Sequence, residues 1–253
     1  MIHKKRYLII IILVLIAIAS LIIILLDWLP FIVDTISLYE TRHSNRFKAI
    51  VVLLATSIVF ITGNNSLNKK DLIMMKTIYI LIILADTALV LIQNPIVGIL
   101  FFSLVQLGLI IRNSVGLKDK IRFAKEYPIK SSLFINTILS TVLFLLFLVK
   151  LINEHLDDRL LLTVIIFYGL MLSTSLWTAL ANYLLSLFPK INSILVSLGM
   201  FFFVLCDINV GLSLTLPHGL VQTISSNLVW IFYSPALTLI ALSGYNLKSL
   251  RIK

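Results

Sequence analysis

Charge is what this sequence has least of. Only 13% of its residues are charged while 60% are hydrophobic, and the mean hydropathy is +1.08. A soluble domain carries roughly 25% charged residues, so a water-soluble globule is excluded. Cysteine is nearly absent. The single Cys206 stands inside an apolar run, and neither a disulfide framework nor a thiolate metal cluster can be built from one thiol. The four histidines, His3, His43, His155 and His218, are scattered near segment ends without the spacing of a zinc site. No metal or other cofactor is expected. Acids are also few, 11 against 21 Lys and Arg, for a net charge of +10. That excess forms no basic stripe with interleaved aromatics, so nucleic acid is not an expected partner. The lipid bilayer is.

Long apolar runs fill most of the chain. A spanning helix needs about 20 mostly apolar residues, because backbone polar groups in hydrocarbon must be satisfied within the segment. Eight segments qualify: Tyr7–Leu29, Phe47–Thr62, Asp71–Ile92, Pro95–Ile111, Ser132–Leu151, Leu160–Leu187, Ile191–Leu214 and Gln222–Gly244. The second and fourth are short. The first follows Lys4, Lys5 and Arg6, as a signal peptide would. It exceeds the ~7–15-residue core of such a peptide, and Leu26-Asp27-Trp28-Leu29-Pro30 offers no small-residue cleavage site, so it reads as a retained anchor.

Orientation follows the Lys/Arg bias of the connections. With the N-terminus inside, 16 basic residues fall on the cytoplasmic side: Lys4, Lys5, Arg6, Lys69, Lys70, Lys76, Arg112, Lys118, Lys120, Arg122, Lys125, Lys130, Lys190, Lys248, Arg251 and Lys253. The other side holds 5: Arg42, Arg46, Lys48, Lys150 and Arg159. The expectation is an all-α bundle of eight transmembrane helices with both termini cytoplasmic, in a cell membrane. It forms one integral membrane domain over residues 1–253. The longest connection, Asn113–Lys130, reads as a solvated loop.

Two acids stand where hydrocarbon disfavours them. Asp86, in Leu84-Ala85-Asp86-Thr87-Ala88-Leu89, and Asp207, in Leu205-Cys206-Asp207-Ile208-Asn209, lie well inside spans. A carboxylate at a helix centre costs about 2.5–3.5 kcal/mol on insertion scales. Both spans run outward, and each acid precedes a proline, Pro95 or Pro217, by nine or ten residues. The two carboxyls should therefore sit at one depth and can face each other. Each proline is followed by a glycine, Gly98 or Gly219, and the pattern recurs four spans later, which suggests a 4+4 parallel repeat about the membrane normal. Lys48, Tyr168, Asn227 and Tyr233 fall at compatible depths, with Gln106 deeper. Lys48 also reads as an interfacial snorkelling residue, and Gln106 with the Thr174, Thr178, Asn182 stripe as interhelical hydrogen bonding.

Two carboxyls converging in a low-dielectric pocket share one proton, which supplies an acid and a base. That pair suits chemistry passing through an oxocarbenium-like state, and a vinyl ether is a natural substrate. The strings Phe47-Lys48, Ala85-Asp86-Thr87-Ala88-Leu89, Gly98, Phe102 and Gln106, Phe203-Val204-Leu205-Cys206-Asp207-Ile208-Asn209, Phe232-Tyr233 and Ile240-Ala241-Leu242-Ser243 together resemble the lysoplasmalogenase (YhhN-like) family. The resemblance covers spans two to eight. It implies an eight-span membrane hydrolase that cleaves the vinyl ether of lysoplasmalogens, releasing a fatty aldehyde and glycerophospho-ethanolamine or -choline. It implies catalytic roles for Asp86 and Asp207, with Lys48 near the substrate phosphate and Gln106, Tyr168, Asn209 and Tyr233 lining the lysolipid site. Ala49 replaces an expected proline, Gln106 stands where many members have histidine, and Pro235 and Leu237 fall where an Ala-Gln pair is common. Two other classes fit intramembrane acids: a proton-coupled transporter, and a non-catalytic membrane subunit whose polar residues only pack helices.

Overall fold

The computed structural model describes residues 2–33, 40–123, 159–216 and 219–246. Within them the chain is helical: α1 (Ile2–Val33), α2 (Glu40–Thr62), α3 (Lys69–Asp86), α4 (Pro95–Asn113), the short α5 (Leu117–Phe123), α6 (Arg159–Leu184), α7 (Lys190–Thr215) and α8 (Leu220–Ser243). Seven of these are long and apolar enough to cross a membrane, α5 being the exception. The expected fifth span, Ser132–Leu151, lies outside the described residues, as does Pro217. The second span is not short. Its helix starts at Glu40, seven residues before Phe47, and a polar residue of its first turns is satisfied inside the protein: Ser44 is fully buried and its hydroxyl donates to Asp27 of α1 at 2.6 Å.

The core is apolar, but unlike in a soluble protein the outer surface is apolar too, and polar side chains are packed inside. Large apolar side chains such as Leu53, Ile73, Leu100, Ile111, Leu170 and Phe201 face outward, whereas Gln106, Asn113, Ser175, Asn182 and Asn192 are buried. Without a hydrophobic drive between helices in lipid, association depends on close packing and interhelical hydrogen bonds. The α7–α8 pair shows the first. A methyl group on Gly199 would stand 2.7 Å from Ile240 Cγ1 and 3.1 Å from its backbone nitrogen, so only glycine lets these two helices approach so closely. Helix α1 lies along α2 and α8, while α4 packs between α3 and α6.

One end of the bundle is closed by polar contacts. Asp71 in the first turn of α3 accepts from Arg112 Nε in the last turn of α4 at 2.7 Å, and Arg112 Nη1 donates to Ser243 Oγ on α8 at 2.9 Å. Asn192 of α7 donates to the carbonyls of Ser243 and Tyr245 at 2.9 and 2.6 Å, and the Asn182 side chain on α6 reaches the Asn113 carbonyl. Arg112 is thus a buried structural ion, 1% exposed, and not a free loop cation at the membrane surface. The C-terminal ends of α4 and α6 meet here, so these two helices run parallel.

At the opposite end α3 turns sharply into α4. Its last turn widens into a π-helical turn at Thr87–Leu91, Gln93 takes a left-handed φ of 57°, and Asn94 caps α4 by accepting from Val97 N at 3.1 Å with Pro95 at the first helical position. Asn before Pro supplies both the cap and a preset φ. The widened turn directly follows Asp86, and π-turns of this kind concentrate at functional sites.

Candidate active site

Asp86 and Asp207 occupy equivalent heights because each lies 17 residues beyond the first residue of its helix, Lys69 for α3 and Lys190 for α7. Both line a single cavity of about 250 Å³ enclosed by α3, α4, α6, α7 and α8. Neither is sealed in packing: both residues are half-buried and reachable from that space. Its other walls are mainly apolar, with Leu89, Ile99, Phe102, Ile165 and Val210 among them, and Cys206 at its edge.

A tyrosine fixes each carboxyl. The Tyr233 hydroxyl on α8 donates to Asp86 Oδ2 at 2.8 Å, and the Tyr168 hydroxyl on α6 donates to Asp207 Oδ2. Among the described residues, the second oxygen of each carboxyl takes no hydrogen bond. Tyr233 is itself held edge-on by three rings: Trp230 at 5.1 Å between centroids, Phe203 at 5.8 Å and Phe102 at 6.3 Å. Such T-shaped contacts fix ring orientation, so the hydroxyl is aimed at Asp86 before any ligand arrives. On the other side Gln106 Nε2 donates to the Tyr168 oxygen at 3.4 Å. Gln106 is fully buried and acts one residue removed from the cavity wall, with its Oε1 unpartnered among the described residues.

The third element is a cation. Lys48 on α2 lines the cavity, and its ammonium pairs with Asp27 Oδ2 of α1 at 3.0 Å and sits 5.7 Å from the Trp230 ring centroid. Lys48 and Asp86 also line a second space of about 240 Å³, a cleft between α2 and α3 bounded by Val52, Leu53, Ile83 and Leu91. Leu53 and Leu91 are 54% and 76% exposed on the outer flank of the bundle. The cleft and the cavity share Lys48, Asp86, Val90 and Trp230. The cleft thus reaches Lys48 and Asp86 from the outer flank, on the other side of walls it shares with the cavity.

Of the residues singled out in the sequence, Asp86, Asp207, Lys48, Tyr168 and Tyr233 come together on the cavity. Gln106 reaches it through Tyr168. Asn209 does not: its amide turns back on α7 and donates to the Leu205 carbonyl at 2.7 Å. Sequence pattern gives Asp27 and Trp230 no part in the site. Asp27 lies near the end of its span, where an acid is unremarkable, and Trp230 sits in an apolar run where a ring reads as packing. Among the described residues no three His, Cys, Asp or Glu side chains gather as a metal site requires.

A helical bundle with seven described helices able to cross a membrane, and with two tyrosine-held carboxyls and one lysine on an internal cavity, is a polytopic membrane protein. Residues 46–244 match the model of the YhhN family, and the chain belongs to that family. No curated protein and no solved structure matches it.

Proposed function

We propose that this protein hydrolyses the vinyl ether bond of lysoplasmalogen-type lysolipids by carboxylate acid/base catalysis. The observation that carries the reading is the convergence of Asp86 and Asp207 on one cavity, which shares Lys48 and Asp86 with a cleft on the outer flank. In this scheme the alkenyl chain enters through the α2–α3 cleft and the headgroup phosphate meets Lys48 as a point charge. One carboxyl, protonated, gives its proton to the β-carbon of the vinyl ether, and the α-carbon becomes an oxocarbenium centre. The other, ionised, takes a proton from water as the water oxygen bonds to that centre. The first carboxyl, now ionised, takes the hydroxyl proton of the resulting hemiacetal while the second, now protonated, gives its proton to the ether oxygen, and the carbon–oxygen bond breaks. A fatty aldehyde and a glycerophospho-alcohol leave, and each carboxyl is back in its starting protonation state. Apolar walls keep the pair poorly solvated, which strengthens each charge interaction at the reacting atoms.

The same reading places eight spans in a cell membrane with both termini cytoplasmic. It is supported by the basic bias of the sequence and by the parallel run of α4 and α6, whose connection must join opposite ends of the bundle. Aldehyde release from 1-alkenyl lysophosphoethanolamine by the purified protein in lipid nanodiscs tests the activity. Asp86→Asn and Asp207→Asn are each expected to lower kcat by about a hundredfold or more, the range for general acid–base groups. No aldehyde from the parent protein, or full activity in both variants, overturns the proposal.

A further inference from the structure

Lys48 is not a free cation awaiting a phosphate. Its ammonium already faces the Asp27 carboxylate at 3.0 Å, and the two side chains are only 16% and 12% exposed. Asp27 is held there from its other oxygen by the Ser44 hydroxyl at 2.6 Å, and Lys48 is backed by the Trp230 ring. Lys48 lines both the outer cleft and the inner cavity, and Asp27, which lines neither, stands directly behind its ammonium. The carboxylate arrives on α1, outside residues 46–244 matched to the family, whereas Lys48 lies inside them.

Resting on the lysolipid reading above, we infer that Asp27 is a headgroup-specificity residue, making the cavity mouth a neutral dipole that accepts zwitterionic headgroups and rejects anionic ones. A lone lysine would attract any phosphate. With Asp27 beside it, a phosphate that approaches Lys48 meets a negative charge as well, and like charges brought together in a partly desolvated site discriminate between ligands more than they change affinity for the preferred one. A headgroup carrying an ammonium beyond its phosphate answers both members of the pair. A phosphate monoester answers only one and is repelled by the other.

The test is a binding ratio, independent of turnover. Nanodiscs holding the full chain are titrated calorimetrically with two non-hydrolysable probes: 1-O-alkyl lysophosphoethanolamine and 1-O-alkyl glycerol 3-phosphate. The parent protein is expected to prefer the zwitterion by about tenfold or more, and Asp27→Asn to shift the ratio toward the anionic probe by a similar factor. Asp27→Glu should restore the parent order. Because both probes are measured on one preparation, any loss of folded protein in a variant cancels from the ratio. An unchanged ratio in Asp27→Asn overturns the inference, as does absence of binding of both probes to the parent protein. Selective binding without aldehyde release from a vinyl-ether lipid would sink the hydrolase reading and leave the role of Asp27 standing.

Discussion

Each aspartate in the cavity is held by a phenol from another helix. Tyr233 and Tyr168 donate to Asp86 and Asp207 from α8 and α6, helices other than those carrying the acids. Hydrogen bonds to charged groups are worth about 1.5–3 kcal/mol, so Tyr233→Phe or Tyr168→Phe should lower kcat by about ten- to a hundredfold with a smaller change in KM, read from initial rates of aldehyde release. Unaltered kcat in both variants would show that the phenols merely pack. The acids were legible in the bare sequence because a carboxyl in an apolar run is energetically anomalous. Asp27 carried no such anomaly. Its pairing with Lys48 depends on how α1 crosses α2, and nothing in either segment alone specifies that crossing.

Helices here are joined more tightly at one end than at the other. The Asp71–Arg112 pair with Ser243 ties α3, α4 and α8 where the bundle is closed, while the opposite end holds the cavity and its π-helical turn. Removing one member of a buried ion pair strands the other and costs about 3–5 kcal/mol, whereas apolar replacement of both is often tolerated. Arg112→Met is therefore expected to lower the melting temperature in nanodiscs markedly, and the double variant Asp71→Leu with Arg112→Met to recover most of the loss. Equal melting of the single and double variants would contradict this account. The seven described spans were legible from hydropathy and length, because hydrocarbon forces every backbone group to bond within its segment. Arg112 was not. By position it counts among the basic residues of a loop, and only its neighbours on α3 and α8 show that it is buried.

For the molecule as a whole, the consequential feature is a cleft on the outer flank that reaches two residues of the inner cavity. The cleft between α2 and α3 connects the outer flank at Leu53 and Leu91 with Lys48 and Asp86. Filling it from the outside should hinder lipid entry without disturbing the carboxyls. Leu53→Trp, at a position already 54% exposed, is expected to raise KM for the alkenyl lysolipid severalfold while kcat stays within about twofold and melting is unchanged, the pattern of lost uniform binding. An unmoved KM would mean that substrate reaches the acids by another path.

Composition and hydropathic patterning by themselves determined that this is a polytopic helical membrane protein, and that two acids inside it need a reason. Both follow from transfer free energies, which are properties of segments and hold whatever the segments pack against. Tertiary structure alone decided that the two acids share one cavity, that tyrosines from other helices hold them, that Asn209 turns away, and that α1 brings a carboxylate to Lys48. Those outcomes rest on crossing angles and close approaches such as Gly199 against Ile240, where a single methyl group would force two helices apart. Contacts of that kind are made between segments and written in none of them.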